Sequence, residues 1–340
     1  MVPCAENVRF TSSGTEATMM ALRLARAHTN REGVIKLNNH FHGWHDLVVG
    51  KEDDAQIYSP GVPEGFYNSL SILQPNDIDA LAKRLKKKDI AALILEPTGS
   101  HWGEHPLDVE YLHKANELTK ETGTIFIMDE VITGFRMSRG GAQELYNLQP
   151  DLSTHAKILA GGLPGGCVAG KKEILQQIEF SDDSDWNDAK KIAHQGTYNA
   201  NPISATAGTI ALNIIRTGDD IQKADYLSDQ LIASLNQLFK DNKVSGRAWT
   251  VSSMWHLNFG YSNQKGLDEL AQTHWIDSNP PEGVRPDLIL PLKWALFNHG
   301  VDLFGTGGVL SSAHTDEDID NTVSAFEKAI IDLRADGLSI

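Results

Sequence analysis

Lys157, Asp129 and Glu96 are the residues of this sequence whose surroundings most invite chemistry. Lys157 lies in Thr154-His155-Ala156-Lys157-Ile158-Leu159-Ala160, and Gly161-Gly162-Leu163-Pro164-Gly165-Gly166 follows. Loss of water disfavours the charged form of an ammonium, so a lysine among small and apolar neighbours becomes a nucleophile toward aldehydes. A solvated surface lysine is the alternative. Asp129 ends the apolar run Thr124-Ile125-Phe126-Ile127-Met128 and opens Asp129-Glu130-Val131-Ile132-Thr133-Gly134. A carboxylate at a buried strand end needs a cationic or hydrogen-bonding partner. A protonated pyridine nitrogen would serve, and so would the backbone of the next turn. Glu96 ends a second run, Ala91-Ala92-Leu93-Ile94-Leu95, just before Pro97.

Ser13-Gly14-Thr15 offers hydroxyls, backbone N–H groups and a helix start, which together make an anion cradle. The same residues also suit an ordinary helix cap, with Ser13 or Thr15 as the capping side chain. In His194-Gln195-Gly196-Thr197-Tyr198-Asn199-Ala200-Asn201-Pro202, Thr197 could donate to a phosphate or cap the helix that opens at Pro202. His40, His42, His45, His101 and His105 match no recognised metal-ligand spacing.

The elements that must position these groups follow from periodicity. Ala17, Met20, Ala21 and Leu24 recur at helical spacing after the Ser-Gly-Thr loop. Val34–Leu37, Ala91–Leu95 and Thr124–Met128 read as buried strands. Ile78–Lys88, Val109–Thr122 and Pro202–Arg216 read as helices. Apolar strands alternating with helices predict a mainly parallel α/β sheet covered on both faces, whose ligands bind at the strands' C-terminal ends. Residues 50–75 read as a surface excursion, Leu227–Phe239 as a helix, 249–259 as a strand, 276–288 as a Pro-rich loop and Asp316–Ala335 as the final helix. A boundary near 215 divides residues 1–215, a large ligand-binding domain, from residues 216–340, a smaller C-terminal α+β domain.

The 340 residues are 41% hydrophobic and 22% charged, as in ordinary globular proteins. A formal charge of −15 argues against a nucleic-acid or anionic-membrane binder. The two cysteines, Cys4 and Cys167, belong to no metal or redox motif. No leader and no membrane span is legible, so the expected location is the cytoplasm.

Taken in order, Ser13-Gly14-Thr15-Glu16-Ala17, Phe41-His42-Gly43, Glu96-Pro97, Asp129-Glu130-Val131 with Thr133-Gly134-Phe135-Arg136, Lys157 before Gly161-Gly162-Leu163-Pro164, and Gly196-Thr197 before Asn201-Pro202 resemble the class III aminotransferases. The resemblance is strongest to the glutamate-1-semialdehyde aminomutase branch. It runs from Val8 to about Ile214 and resumes at Gly300 and Ala313-His314-Thr315.

This resemblance implies a fold-type I transferase with pyridoxal 5'-phosphate (PLP) as cofactor, working as a homodimer. Lys157 would form the Schiff base, the internal aldimine, and shuttle protons, while Asp129 would keep the pyridine nitrogen protonated. Ser13, Gly14 and Thr15 would hold the phosphate, and Thr197 would reach it in the partner subunit. Phe41, where the family often has Tyr, and Val131 would cover the two ring faces. His42 and Glu96 complete the implied cofactor shell. The implied activity is ping-pong transamination between an amine or amino acid and an oxo acid or ketone. An aminomutase, a racemase or a PLP-binding protein without turnover are the alternatives.

Two departures from the family pattern stand out. The phosphate loop comes almost at the start, where the family normally carries a long segment that completes the small domain, the dimer interface and part of the substrate pocket. Gly305-Thr306-Gly307-Gly308 stands where the aminomutase pattern has a glutamate, so glutamate semialdehyde is not the expected substrate. Arg136 and Arg139 are candidates for binding a substrate carboxylate.

Overall fold

In the computed structural model, which describes residues 1–53, 56–260 and 283–340, the apolar runs up to Gly170 lie side by side. The strands are β1 (Asn7–Thr11), β2 (Gly33–Leu37), β3 (Lys51–Asp53), β4 (Gln56–Tyr58), β5 (Leu70–Leu73), β6 (Ile90–Leu95), β7 (Ile125–Asp129), β8 (Leu152–His155) and β9 (Gly166–Gly170). Seven of them form one sheet in the order β1-β9-β8-β7-β6-β2-β5, while β3 and β4 pair separately. Strands β5, β2, β6, β7 and β8 pair in parallel, and β9 runs antiparallel to both its neighbours. Every residue of β2, β6, β7, β8 and β9 is buried, which is why β2, β6 and β7 read as continuous rather than alternating runs, while β8 and β9 were not read as strands.

The helices over this sheet are α1 (Gly14–Thr29), α2 (Ile78–Leu85), α3 (Val109–Thr122), α4 (Ala142–Leu145), α5 (Lys172–Leu175) and α6 (Pro202–Ile215). The Ser13 hydroxyl caps α1 by accepting from the Glu16 N–H, which decides between the two capping candidates. The buried face of α1 (Ala17, Met20, Ala21, Leu24) shares a core with Ile94 of β6, Ile127 of β7 and Val168 of β9. Burial of each such leucine is worth roughly 1.5–3 kcal/mol, so α1 is anchored by packing and its N-terminus is fixed over the strand ends.

The chain divides into two compact units, Met1–Trp102 with Leu107–Thr217 and Gly103–Pro106 with Gly218–Ile340. The second contains α7 (Asp219–Asp241), β10 (Gly246–Val251), β11 (Met254–Phe259), α8 (Ile289–Asn298), β12 (Gly307–Val309) and α9 (Asp316–Ala335). Its three strands form an antiparallel sheet. Leu235, Phe239, Phe259 and Phe326 fill its core, and a capping box at Thr315 and Asp318 starts α9.

Several expectations need correction. Leu70–Leu73 lies inside the stretch read as a surface excursion, yet it is the edge strand of the main sheet. Residues 249–259 are not one strand: they belong to the hairpin β10–β11, which turns at Ser252 in the left-handed region. The helix expected from Leu227 begins at Asp219. Of the Pro-rich loop 276–288, residues 276–282 lie outside the described residues, and Pro286–Leu288 forms a 3₁₀ turn. No described helix is long and apolar enough to cross a membrane.

Candidate active site

Adjacent strands β6, β7 and β8 end in Glu96, Asp129 and the His155-Ala156-Lys157 segment, so their order in the sheet places three reactive side chains in a row. Asp129 is only 5% exposed. Its Oδ1 accepts from the Thr154 hydroxyl at 3.0 Å and from the Val131 N–H at 3.2 Å, and its Oδ2 lies 2.7 Å from His42 Nδ1. His42 is fully enclosed. Burial pushes its imidazole below the ordinary histidine value, and the Asp129 bond opposes that shift. Among the described residues no lysine or arginine bridges Asp129. With no lysine or arginine in contact with it, the buried Asp129 carboxyl suits a further cationic partner such as a pyridinium nitrogen.

Lys157 follows β8 and opens a 3₁₀ turn, Lys157–Ala160, with its own backbone at φ 46°. A left-handed lysine costs on the order of 1–3 kcal/mol and persists only where packing enforces it. Here α6 does so. Ser204 and Gly208 are the residues of α6 that are buried; the Ser204 hydroxyl donates to the Pro164 carbonyl at 2.7 Å, and Gly208 lies against the Leu159 backbone. Gly161, at φ 63°, meets α6 just as closely, since a Cβ there would stand 2.6 Å from the Ala207 carbonyl oxygen. Desolvation lowers the Lys157 pKa; Asp129 and Glu96 oppose this and Arg136 reinforces it. Lys157 is exposed as a residue, so the lowering comes from the surface it packs against rather than from complete enclosure.

The anion cradle joins the same region. A Cβ on Gly14 would stand 3.0 Å from both methyl carbons of Val131 and 3.5 Å from Ala156 Cβ. A Cβ on Gly43 would stand 2.7 Å from Thr15 Oγ1. The first-turn N–H groups of Gly14 and Thr15 have no intrahelical acceptor, as at every helix start, and are available to an anion. The structure thus gathers Ser13, Gly14, Thr15, His42, Asp129, Val131 and Lys157 at one end of the sheet. Phe41 rises from it, 65% exposed as a residue. Glu96 joins through its bond to the Phe41 N–H at 2.7 Å.

Thr197 is exposed and makes no hydrogen bond to these residues among those described. Its loop is nevertheless anchored beside the cradle, because Ser12 Oγ donates to Asn199 Oδ1 at 3.0 Å and Arg9 Nε donates to His194 Nδ1 at 2.7 Å. Arg136 is near enough to act on Lys157, whereas Arg139 lies 3.8 Å from Glu144.

Three supporting residues escaped the sequence reading. Thr154 orients Asp129, and its polar type within a wholly buried strand was the available signal. The Thr18 hydroxyl donates to the His42 carbonyl at 2.6 Å and so ties the Phe41-His42 loop to α1. Gly208 left no signal, because a lone glycine in a helix is unremarked until its neighbour is known.

A mostly parallel sheet whose strand ends present a lysine, an aspartate backed by histidine and a helix-borne anion cradle defines the class of PLP-fold transferases. The chain belongs to the class-III aminotransferases, whose family pattern it matches over residues 1–269. It is 34% identical over 337 residues to a glutamate-1-semialdehyde 2,1-aminomutase from Archaeoglobus fulgidus, a match covering 96% of this chain and 76% of that protein. Across the relatives compared, the chain spans between 60% and 77% of their length. Among solved structures it resembles an omega-transaminase from Sphaerobacter thermophilus (27% identity, TM-score 0.82, covering 98% of this chain and 76% of that one). It also resembles a transaminase with PLP bound (26% identity, TM-score 0.82, covering 99% and 76%).

Proposed function

We propose that the chain is a PLP enzyme that moves an amino group between neighbouring carbons of one small substrate, an aminomutase. The observation that carries the PLP chemistry is the row formed by Lys157, with its lowered basicity, and the His42-backed Asp129 at the ends of adjacent strands. The relatives named as 2,1-aminomutases support intramolecular transfer over transfer between two molecules.

When bound, PLP supplies an aldehyde that captures the amine and an electron-poor ring that takes up the electron pair left when the adjacent C–H bond breaks. Asp129, fixed by Thr154, Val131 and His42, holds the proton on the ring nitrogen. Ser13, Gly14 and Thr15 bind the phosphate through hydroxyls and the start of α1. Phe41 and Val131 orient the ring from its two faces. Lys157 Nζ would take the proton from the substrate carbon bearing nitrogen and deliver a proton to the neighbouring carbon as that carbon takes the nitrogen. The neighbouring carbon's carbonyl oxygen would leave as water, and water would supply the new carbonyl oxygen at the first carbon. The exposed Ile203, Ile210 and Ile214 of α6 offer an apolar face to a second copy, which supports a homodimer with Thr197 reaching the partner's phosphate.

A second reading, transamination between an amine and an oxo acid, is favoured by one feature. Gly307 and Gly308 leave no room for a side chain: a Cβ on Gly308 would stand 2.7 Å from the Trp255 indole nitrogen. The run Gly305-Thr306-Gly307-Gly308 holds no glutamate, and one at Gly307 or Gly308 would displace Trp255.

Although Gly305-Thr306-Gly307-Gly308 made glutamate 1-semialdehyde an unexpected substrate, it is the one in the relatives' name, so the test gives it, labelled with ¹⁵N at C2, to the PLP-loaded protein and follows the label by NMR. The aminomutase reading expects label at C1 with no added acceptor. Turnover only when pyruvate is supplied, with label in alanine, would replace it with the transaminase reading.

A further inference from the structure

His42 and His45 belong to no metal-ligand pattern, and the chemistry above uses only His42. One side chain joins the two. Thr18 lies one turn into α1 and is 1% exposed. Its Oγ1 stands 2.6 Å from the His42 carbonyl oxygen, 3.0 Å from the Thr15 carbonyl oxygen and 3.3 Å from His45 Nε2. A hydroxyl has a single proton, and carbonyls only accept. The proton therefore goes to the nearer carbonyl, that of His42, with Thr15 sharing it at longer range. The Thr18 oxygen is left to accept from His45, which places the His45 proton on Nε2.

His42 carries its proton on the other nitrogen. Asp129 accepts from Thr154 and Val131 at Oδ1, and an ionised carboxylate only accepts, so the 2.7 Å contact at Oδ2 is made by His42 Nδ1–H. Burial pushes both imidazoles below the ordinary histidine value, His45 to about 4, with Asp129 opposing, so each ring is neutral and keeps one proton. The remaining nitrogens, His42 Nε2 and His45 Nδ1, are buried and have no hydrogen-bond partner among the described residues. Neither ring would gain a bond by moving its proton there. The backbone between the rings is also fixed. Gly43 stands at φ 95°, where a Cβ would lie 2.7 Å from Thr15 Oγ1, and the Val48 and Val49 N–H groups donate to the His45 carbonyl at 3.1 and 3.2 Å.

We propose that Thr18 is a positioning residue for the ring-nitrogen side of the site: by holding the His42 backbone and the His45 ring, it keeps His42 Nδ1–H on Asp129 and Asp129 an acceptor. With the His42 proton on Nε2, Asp129 would have to hold a proton to keep the contact, and a neutral carboxyl is a poor partner for a pyridinium. Thr18 acts through His42 and touches no reacting atom. Its effect on the cofactor rests on the PLP reading, whereas the proton positions and the clamp do not.

NMR of the cofactor-free protein labelled with ¹⁵N-histidine, assigned with His42→Gln and His45→Gln, should show His42 protonated at Nδ1 and His45 at Nε2. Thr18→Val keeps the branched shape and removes the hydroxyl, so the His45 signals should move toward a mixture of the two forms, while Thr18→Ser keeps the wild-type pattern. Amide hydrogen exchange in peptides covering 40–50 should speed up roughly tenfold in Thr18→Val, the scale of leaving one buried carbonyl unpaired, and return most of the way in Thr18→Ser. Peptides covering 125–129 should be unchanged. Thr18→Val should also weaken PLP binding several-fold, yet leave unchanged the binding of the deaza analogue of PLP that has carbon in place of the ring nitrogen. A wild-type His42 protonated at Nε2, or a Thr18→Ser protein as perturbed as Thr18→Val, would overturn the proposal. Equal weakening of PLP and its deaza analogue would overturn action through the ring nitrogen. A wild-type protein that binds neither would defeat the parent reading and leave the NMR and exchange results to judge the clamp.

Discussion

Gly208→Ala isolates the mechanical support of Lys157. In an open helix the change stabilises by about 1 kcal/mol, because alanine loses less backbone freedom than glycine. At position 208 the added Cβ would overlap the Leu159 carbonyl oxygen and stand 3.3 Å from Ala160 Cα. Both are backbone atoms of the turn that begins at Lys157, so no side-chain rotation relieves the overlap. Restoring an ordinary contact requires the turn and α6 to separate by about 1 Å, and overpacking of this kind costs roughly 1–3 kcal/mol, here toward the upper end. The net expectation is a loss of about 1–2 kcal/mol, opposite in sign to the open-helix value. A displacement of that size at a reacting group can slow its reaction about 10²-fold. The assay is the rate at which PLP becomes fixed to the protein by borohydride, alongside a thermal melt. Thr206→Ala, exposed on the same helix, serves as control and should gain slightly in stability with an unchanged rate. A Gly208→Ala protein that melts higher and captures PLP at the wild-type rate would refute the view that α6 braces the lysine turn.

Two further outcomes follow from buried groups beside the site. Glu130 accepts from Thr133 Oγ1, the Ala142 and Gln143 N–H groups and Gln143 Nε2, so it is a structural post rather than a reactive group. Glu130→Ala should cost on the order of 3 kcal/mol or more in denaturant unfolding, and Glu130→Gln less; an unchanged midpoint with lost PLP capture would reverse that assignment. Burial holds His155 down to about pKa 4, with Asp129 opposing. Between about pH 6.5 and 4 the unfolded chain takes up a proton that the folded chain refuses, so this contribution is complete above 6.5 and lost as pH falls. The span is worth on the order of 3 kcal/mol. Unfolding at pH 7.5 and pH 5 should show a smaller difference in His155→Gln than in wild type, and an equal difference would contradict the burial argument.

The strand ends that carry Glu96 and Asp129 were legible in the sequence because parallel strands covered on both faces leave uninterrupted apolar runs, whereas β8, which leads to Lys157, was not, because Leu152-Ser153-Thr154-His155 is mostly polar although buried. α3 and α9 were legible at the bounds the structure shows, Val109–Thr122 and Asp316–Ala335. Leu70–Leu73 was hidden because a short edge strand is embedded among turn-forming residues. The β10–β11 hairpin was hidden because Ser252-Ser253 interrupts neither hydrophobicity nor β propensity enough to mark a turn. In the site, residue types at motif positions were readable, but partnerships were not. That His42 backs Asp129, that Thr154 completes it, and that Glu96 holds the Phe41 N–H depend on groups meeting across 25 to 87 residues of chain.

The most direct test of the central claim is the visible spectrum of the protein with added PLP, followed by borohydride reduction and mapping of the modified peptide. The account predicts a yellow band that reduction fixes onto the peptide containing Lys157, and no fixed label in Lys157→Ala. A protein that stays colourless, or that carries the reduced cofactor on another lysine, would contradict it.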